Sequence, residues 1–171
     1  MAVRNYRESD LSDLHAINVA SVPGVGAATL DELAEIIALS TCFVATDLVN
    51  APLGFITLLP TGVQAYDSPN LRWFEKYVGT RNVSLIYVDR IALSPSARGQ
   101  KLGEALYRTA FEHFADCNEI GCEVNTAPPN PGSHRFHQRL GFSKVGEQEF
   151  QPGAKSVAYY VRPLGQRTST D

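Results

Sequence analysis

The run from Val83 to Leu93, Val-Ser-Leu-Ile-Tyr-Val-Asp-Arg-Ile-Ala-Leu, constrains the fold more than any other stretch. It is almost continuously apolar, the pattern of a strand covered on both faces. The run breaks at Ser94-Pro95-Ser96 and passes through Arg98-Gly99-Gln100-Lys101-Leu102-Gly103. Helix formers then continue to about Asp116, with Leu102, Leu106, Ala110 and Phe114 as the expected buried stripe. A second apolar strand, Ile120-Gly-Cys-Glu-Val124, follows. Strand, loop, helix and strand in this order make a right-handed parallel crossover.

The flanking segments are read by shorter signals. Residues 3–7 suggest a first short strand. In residues 10–21, Leu11, Leu14, Ile17 and Asn18 share one helical face, with Asp10 as the expected N-cap. Pro23 and Gly24 end that helix. Thr29 and Glu32 have capping-box spacing at the head of a second helix. Residues 42–47 and 53–60 flank Asn50-Ala51-Pro52 as an antiparallel hairpin. Ser68 and Pro69 head a short helix in which Trp73, Phe74 and Tyr77 read as packing residues. A Pro-rich loop over 125–132 leads to a short helix closed by Gly141. Two closing antiparallel strands complete a mixed sheet with helices on both faces. One domain is expected over 1–164, with a polar, disordered tail over 165–171.

Composition narrows the function classes. The 171 residues are 44% hydrophobic and 19% charged, an ordinary globular balance. The net charge of −3 speaks against a general nucleic-acid binder. No apolar run approaches the ~20 residues of a membrane span, and the N-terminus shows no signal-peptide core. Cys42, Cys117 and Cys122 are odd in number and lack CxxC spacing. They read as reduced packing residues of a cytoplasmic protein.

The turn after the central strand carries the chemistry. The first turn of a helix has free N–H groups and a partial positive charge. Small residues let a large anion approach those amides, so Gly99 and Gly103 suit a phosphate, with Arg98 and Lys101 as cationic donors. Neither GxxxxGK[ST] nor GxGxxG is present, which argues against an ATP-binding enzyme of those kinds.

Arg98-x-x-Lys101-x-Gly103 resembles the acyl-CoA loop of the Gcn5-related N-acetyltransferases, written Arg or Gln, two residues, Gly, one residue, then Gly or Ala. A second block, Asn130-x-x-Ser133-x-x-Phe136-His137-x-x-x-Gly141-Phe142, resembles that family's Asn–small–apolar–Tyr–Gly-Phe pattern. The resemblance covers about residues 3–163. It implies an α/β (α+β mixed) fold: a mostly antiparallel sheet of about seven strands with one splayed parallel pair, flanked by about four helices. It also implies acetyl-CoA as cofactor. The amides of Ile91, Ala92 and Leu93 would pair with the pantetheine arm. The pyrophosphate would sit on Arg98, Gly99, Gln100, Lys101, Leu102, Gly103 and Glu104. Asn130 would bond the pantetheine, with Ser133 and Phe136 beside it.

The sequence departs from the family pattern twice. Lys101 replaces the middle glycine, and a helical φ there would let its ammonium reach a phosphate at no cost. His137 replaces a Tyr that often protonates the leaving thiolate. His137 is therefore a candidate acid, with a bond to the sulfur or an orientation away from it as alternatives. His134-x-x-His137 has no matching ligand set, so no metal is expected.

The acceptor must attack as a neutral amine. At a pKa near ~10.4, deprotonating a lysine-like amine at pH 7 costs roughly 4–5 kcal/mol. Glu123 and Asp89 are the candidate bases, with Glu123 favoured because it resembles a glutamate of the ribosomal-protein N-terminal acetyltransferases. Alternation puts Asp89 on one face with Tyr87 and Ile91, and Arg90 on the other. Asn125 shares the face of Glu123 and is a candidate for acceptor or cofactor binding. Val22–Ala28, Tyr66–Tyr77 and the Pro-rich loop are the expected acceptor pocket. The resemblance implies transfer of an acetyl group to a primary amine of a small molecule or peptide, by direct attack in a ternary complex. A non-catalytic acyl-CoA sensor is the alternative, and a homodimer is compatible with either.

Overall fold

The computed structural model describes residues 1–165; the polar tail over 166–171 lies outside them. The described residues form β1 (Ala2–Asn5), α1 (Leu11–Ser21), α2 (Leu30–Leu39), β2 (Thr41–Thr46), β3 (Pro52–Pro60), α3 (Pro69–Gly79) and β4 (Leu85–Leu93). They continue with α4 (Leu102–His113), β5 (Glu119–Ala127), α5 (Pro131–Arg139), β6 (Ser143–Gln151) and β7 (Lys155–Pro163). That makes five α-helices among the described residues, one more than the resemblance implied.

The seven strands form one sheet in the order β1-β2-β3-β4-β5-β7-β6. Every neighbouring pair is antiparallel except β4 and β5. These two run parallel from Leu85↔Glu119 to Val88↔Cys122 and have no rung beyond. The expected splayed pair is therefore present. β4 keeps pairing with β3 as far as Leu93, and β5 keeps pairing with β7 as far as Ala127.

α4 covers one face of the sheet, where Leu102, Leu106, Tyr107 and Ala110 pack against Ile86, Val88 and Ile120. Phe114 is only partly buried at the edge of this cluster. The other face is covered by α1 and α2 through Leu14, Ile17, Leu33 and Ile37, and by α3 through Leu71 and Phe74. α2 opens with the expected capping box, Thr29 with Glu32. α3 opens with Ser68 accepting from the Leu71 amide, and Pro69 stands in its first turn.

Two expectations are corrected. Asp10 does not cap α1. Its carboxylate accepts two guanidinium bonds from Arg4, at 2.7 and 2.9 Å, and the Arg7 amide at 2.8 Å, which tie β1 to the turn. The alternation of β4 also breaks. Thr57 pairs with Arg90 and Leu58 with Val88, so Asp89 is the extra residue of a β-bulge. Tyr87 faces α3, whereas Ile91 packs on the α4 face. Asp89 and Arg90 do not point to opposite faces; Arg90 Nε donates to Asp89 Oδ2 at 2.7 Å.

Candidate active site

The turn from β4 into α4 is an open row of donors. Among the described residues, no acceptor in the chain takes the amides of Arg98 to Glu104; the first helical amide bonded backward is that of Ala105, to Lys101 O. Such amides, at a helix N-terminus, fit an anion. Arg98, Gly99, Gln100 and Lys101 are exposed, Leu102 and Gly103 are buried, and Glu104 is partly buried in the first turn. A Cβ on Gly103 would meet Phe136 Cζ at 3.0 Å, so the aromatic of α5 presses against the loop there. Lys101 is not helical. Its φ of +59° lies in the left-handed region, beside Gly99 at +79°. The middle glycine of the family pattern meets this backbone demand, and Lys101 meets it at a strain of about 1–2 kcal/mol.

Beyond the last β4–β5 rung, two strand edges face each other without pairing. Ile91, Ala92 and Leu93 lie on the β4 edge. Asp89 and Glu123 are the residues immediately past that rung, one on each strand. Asn130 caps α5, its Oδ1 accepting from the Ser133 amide at 3.3 Å.

His137 does not reach the opening. It is 3% exposed, with Nδ1 2.8 Å from the Ser133 carbonyl and Nε2 2.8 Å from Tyr107 Oη. A carbonyl only accepts, so Nδ1 carries the proton and Tyr107 donates to Nε2. Burial pushes the pKa down to about 4. A neutral imidazole with both nitrogens engaged in the core is not placed to protonate a thiolate. His134 is likewise engaged, with Asn125 O at 3.0 Å and Tyr160 Oη at 2.8 Å.

The two carboxylates differ in their partners. Asp89 is held by Arg90 and by Tyr66 Oη at 2.6 Å. Arg90 continues to Asn18 Oδ1 at 2.8 Å and Gly26 O at 3.3 Å, which fastens the loop between α1 and α2 to the bulge. Glu123 has no ion pair among the described residues. Its Oε1 accepts from Tyr87 Oη and Asn70 Nδ2, each at 3.0 Å, and its Oε2 is buried without a partner. Burial and then the Asp89 charge push its pKa up to about 8, against the Tyr87 bond and Arg90. A carboxyl that titrates there is poised to take a proton near neutral pH. Asn125, on the same strand, spends its Nδ2 on Pro23 O at 2.7 Å and holds the same α1–α2 loop.

A cleft of about 360 Å³ opens between α2 and the segment before α3, lined by Ala28, Glu35, Ile36, Tyr66, Asp67 and Arg90. It draws on two of the three segments expected to form an acceptor pocket; the Pro-rich loop contributes none of its lining.

The acetyltransferase (GNAT) family model matches residues 21–142. The chain belongs to the GNAT family. A GNAT relative by sequence is the phosphinothricin N-acetyltransferase of Streptomyces coelicolor, 34% identical over 79 residues. That match covers 43% of this chain and 46% of the relative, so the chain spans under half of that relative's length. Two solved structures share the GNAT fold. One is a phosphinothricin acetyltransferase from Sinorhizobium meliloti in complex with AcCoA, at TM-score 0.71 and 22% identity, over 99% of this chain and 91% of that one. The other is Arabidopsis thaliana NAA60 in complex with a bisubstrate analogue, at TM-score 0.74 and 16% identity, over 96% and 98%.

Several residues of this GNAT site escape a reading of sequence. Asn70, Tyr66 and Tyr87 hold the two carboxylates, and Tyr107 holds His137. The signal of Tyr87 is only its polarity inside the apolar central run. Asn70 and Tyr66 fall within the Tyr66–Tyr77 segment expected to line the pocket, but a neutral amide in the first turn of a helix gives no signal of its own.

Proposed function

We propose that the chain is an acetyl-CoA-dependent N-acetyltransferase acting on a primary amine of a small molecule or a peptide. The observation that carries this reading is the fork between β4 and β5. Unbonded loop amides follow it on one strand, and Glu123 stands at its root on the other.

The residues fit the cofactor chemistry. The amides of Arg98 to Glu104, with Arg98 and Lys101, suit a pyrophosphate, and the edge at Ile91 to Leu93 suits an extended amide-bearing arm. Acetyl-CoA supplies the acyl group as a thioester. The chain supplies orientation and a proton acceptor. Glu123 takes one proton from the acceptor's ammonium, leaving the nitrogen lone pair free to attack, and returns it to solvent. The second nitrogen proton ends on the departing sulfur. The cleft beside Tyr66 and Arg90 is the approach for the acceptor, and Asp89 is bound into the structure by Arg90 and Tyr66. The reading includes one domain over 1–164 and a cytoplasmic setting, the latter supported by three free cysteines, two of them buried.

The test is thiol release from acetyl-CoA with a panel of primary amines. Release should depend on the amine and rise with pH around 8, the value for Glu123. Glu123→Gln should lose roughly 100-fold or more in turnover together with that limb. An unchanged pH profile in Glu123→Gln removes Glu123 as the base. One observation favours the sensor reading, namely the buried, neutral His137 where an acid would stand. A sensor binds CoA and shows no amine-dependent release with any acceptor.

A further inference from the structure

Glu123 is gripped at one oxygen only. Tyr87, from the neighbouring strand, and Asn70, from α3, both donate to Oε1, and Oε2 is buried with no partner among the described residues. The amide of Asn70 is fixed in turn. Tyr159 Oη stands 2.8 Å from its Oδ1, while its Nδ2 faces the carboxylate. The ionised Glu123 only accepts, so in that state the amide has one orientation.

α3, the helix that carries Asn70, is locked to the sheet. A Cβ on Gly121 of β5 would stand 2.6 Å from Phe74, and one on Gly146 of β6 would collide with the Trp73 ring. The two aromatics of α3 therefore fill notches that only glycine leaves. Trp73 also stacks on Tyr159 with ring centroids 3.9 Å apart. Asn70 is held on a docked element and meets Glu123 at a set distance.

We propose that Asn70 is a positioning residue: it holds Glu123 through Oε1, so that Oε2 is the oxygen that takes the acceptor's proton. The N–H bond breaks, its electron pair stays on nitrogen, and the proton passes through a water to Oε2, where an O–H bond forms. This inference rests on Glu123 being the base. The titratable groups around that carboxyl are Cys122 on its own strand, Tyr87, Asp89 and Arg90 on β4, Tyr159 on β7 and Tyr107 on α4. Tyr66 adjoins Asp89. Beside the Tyr87 hydroxyl, Asn70 is the donor to Oε1 that does not titrate, and losing it disfavours the charged form.

The test is a ¹³C NMR titration of glutamate-labelled protein, with the Glu123 carboxyl signal assigned by its loss in Glu123→Gln. It needs no acceptor. Asn70→Asp keeps the shape and sets a second carboxyl against Glu123; its midpoint should rise by about one pH unit or more. Asn70→Ala should raise it by about half a unit. Asn70→Asp with the wild-type midpoint overturns the inference, whatever Asn70→Ala does to folding. Glu123→Gln that keeps the pH limb of turnover overturns the base reading and this inference with it. If Glu123→Gln abolishes the limb while both Asn70 variants titrate as wild type, only the Asn70 inference falls.

Discussion

Tyr107 donates its hydroxyl to Nε2 of His137 across 2.8 Å, inside the core. The neutral ring satisfies this hydroxyl on one side and the Ser133 carbonyl on the other. Its folded pKa of about 4 lies below the ordinary 6.5. The folded state therefore binds fewer protons, and the ring's contribution is present above pH 6.5 and lost as pH falls towards 4. In urea unfolding the ring itself should account for a loss of up to about 1.4 kcal/mol per pH unit in that window, set against the opposite contribution of Glu123, whose carboxyl binds its proton below about 8. His137→Gln, which does not titrate, should not show that loss. Parallel profiles for the two proteins would count against the neutral ring.

Lys101 holds a left-handed backbone that glycine adopts freely. Lys101→Gly removes the strain but gives the unfolded chain more freedom, so a net gain of up to about 1 kcal/mol is expected in chemical denaturation. The same change removes a cation from the anion loop. CoA affinity in calorimetry should drop about fivefold at low salt and less at high salt, as for an exposed charge. A variant clearly less stable than wild type contradicts the strain, and unchanged affinity contradicts the phosphate contact.

The ion pair of Asp89 and Arg90 is buried, with both side chains 5% exposed. Arg90→Met leaves a buried carboxylate without its cation and should cost about 3–5 kcal/mol. Asp89→Asn combined with Arg90→Met should cost clearly less than the two single changes summed, because no lone charge remains buried. Additive losses in urea unfolding would show that the pair is not coupled.

Much of this fold is legible in the sequence because its signals are local. The apolar run over 83–93 leads into the helix start and then a second apolar strand, a pattern with one handedness. Thr29 with Glu32, and Ser68 with Pro69, mark helix starts through bonds made within one turn. Strict alternation misplaces the face of Asp89 because a bulge is a matter of register: one extra residue between Val88 and Arg90 reverses the alternation, and only the facing strand records it. The loop glycines and the block from Asn130 to Phe142 pointed to the fork, yet the side chains that tune its root come from α3 and from Tyr107. Those contacts are tertiary, and no spacing in the chain encodes them. The strain at Lys101 was half visible, since the family places glycine at that position.

Backbone pairing joins the sheet's two plates through the four rungs between β4 and β5, and the cores under α3 and α4 span both plates. β1 to β4 form one plate and β5 to β7 the other. A molecule that bonds to both free margins acts as a cross-brace between them. Binding of such a molecule is then coupled to how firmly the two margins are held in place.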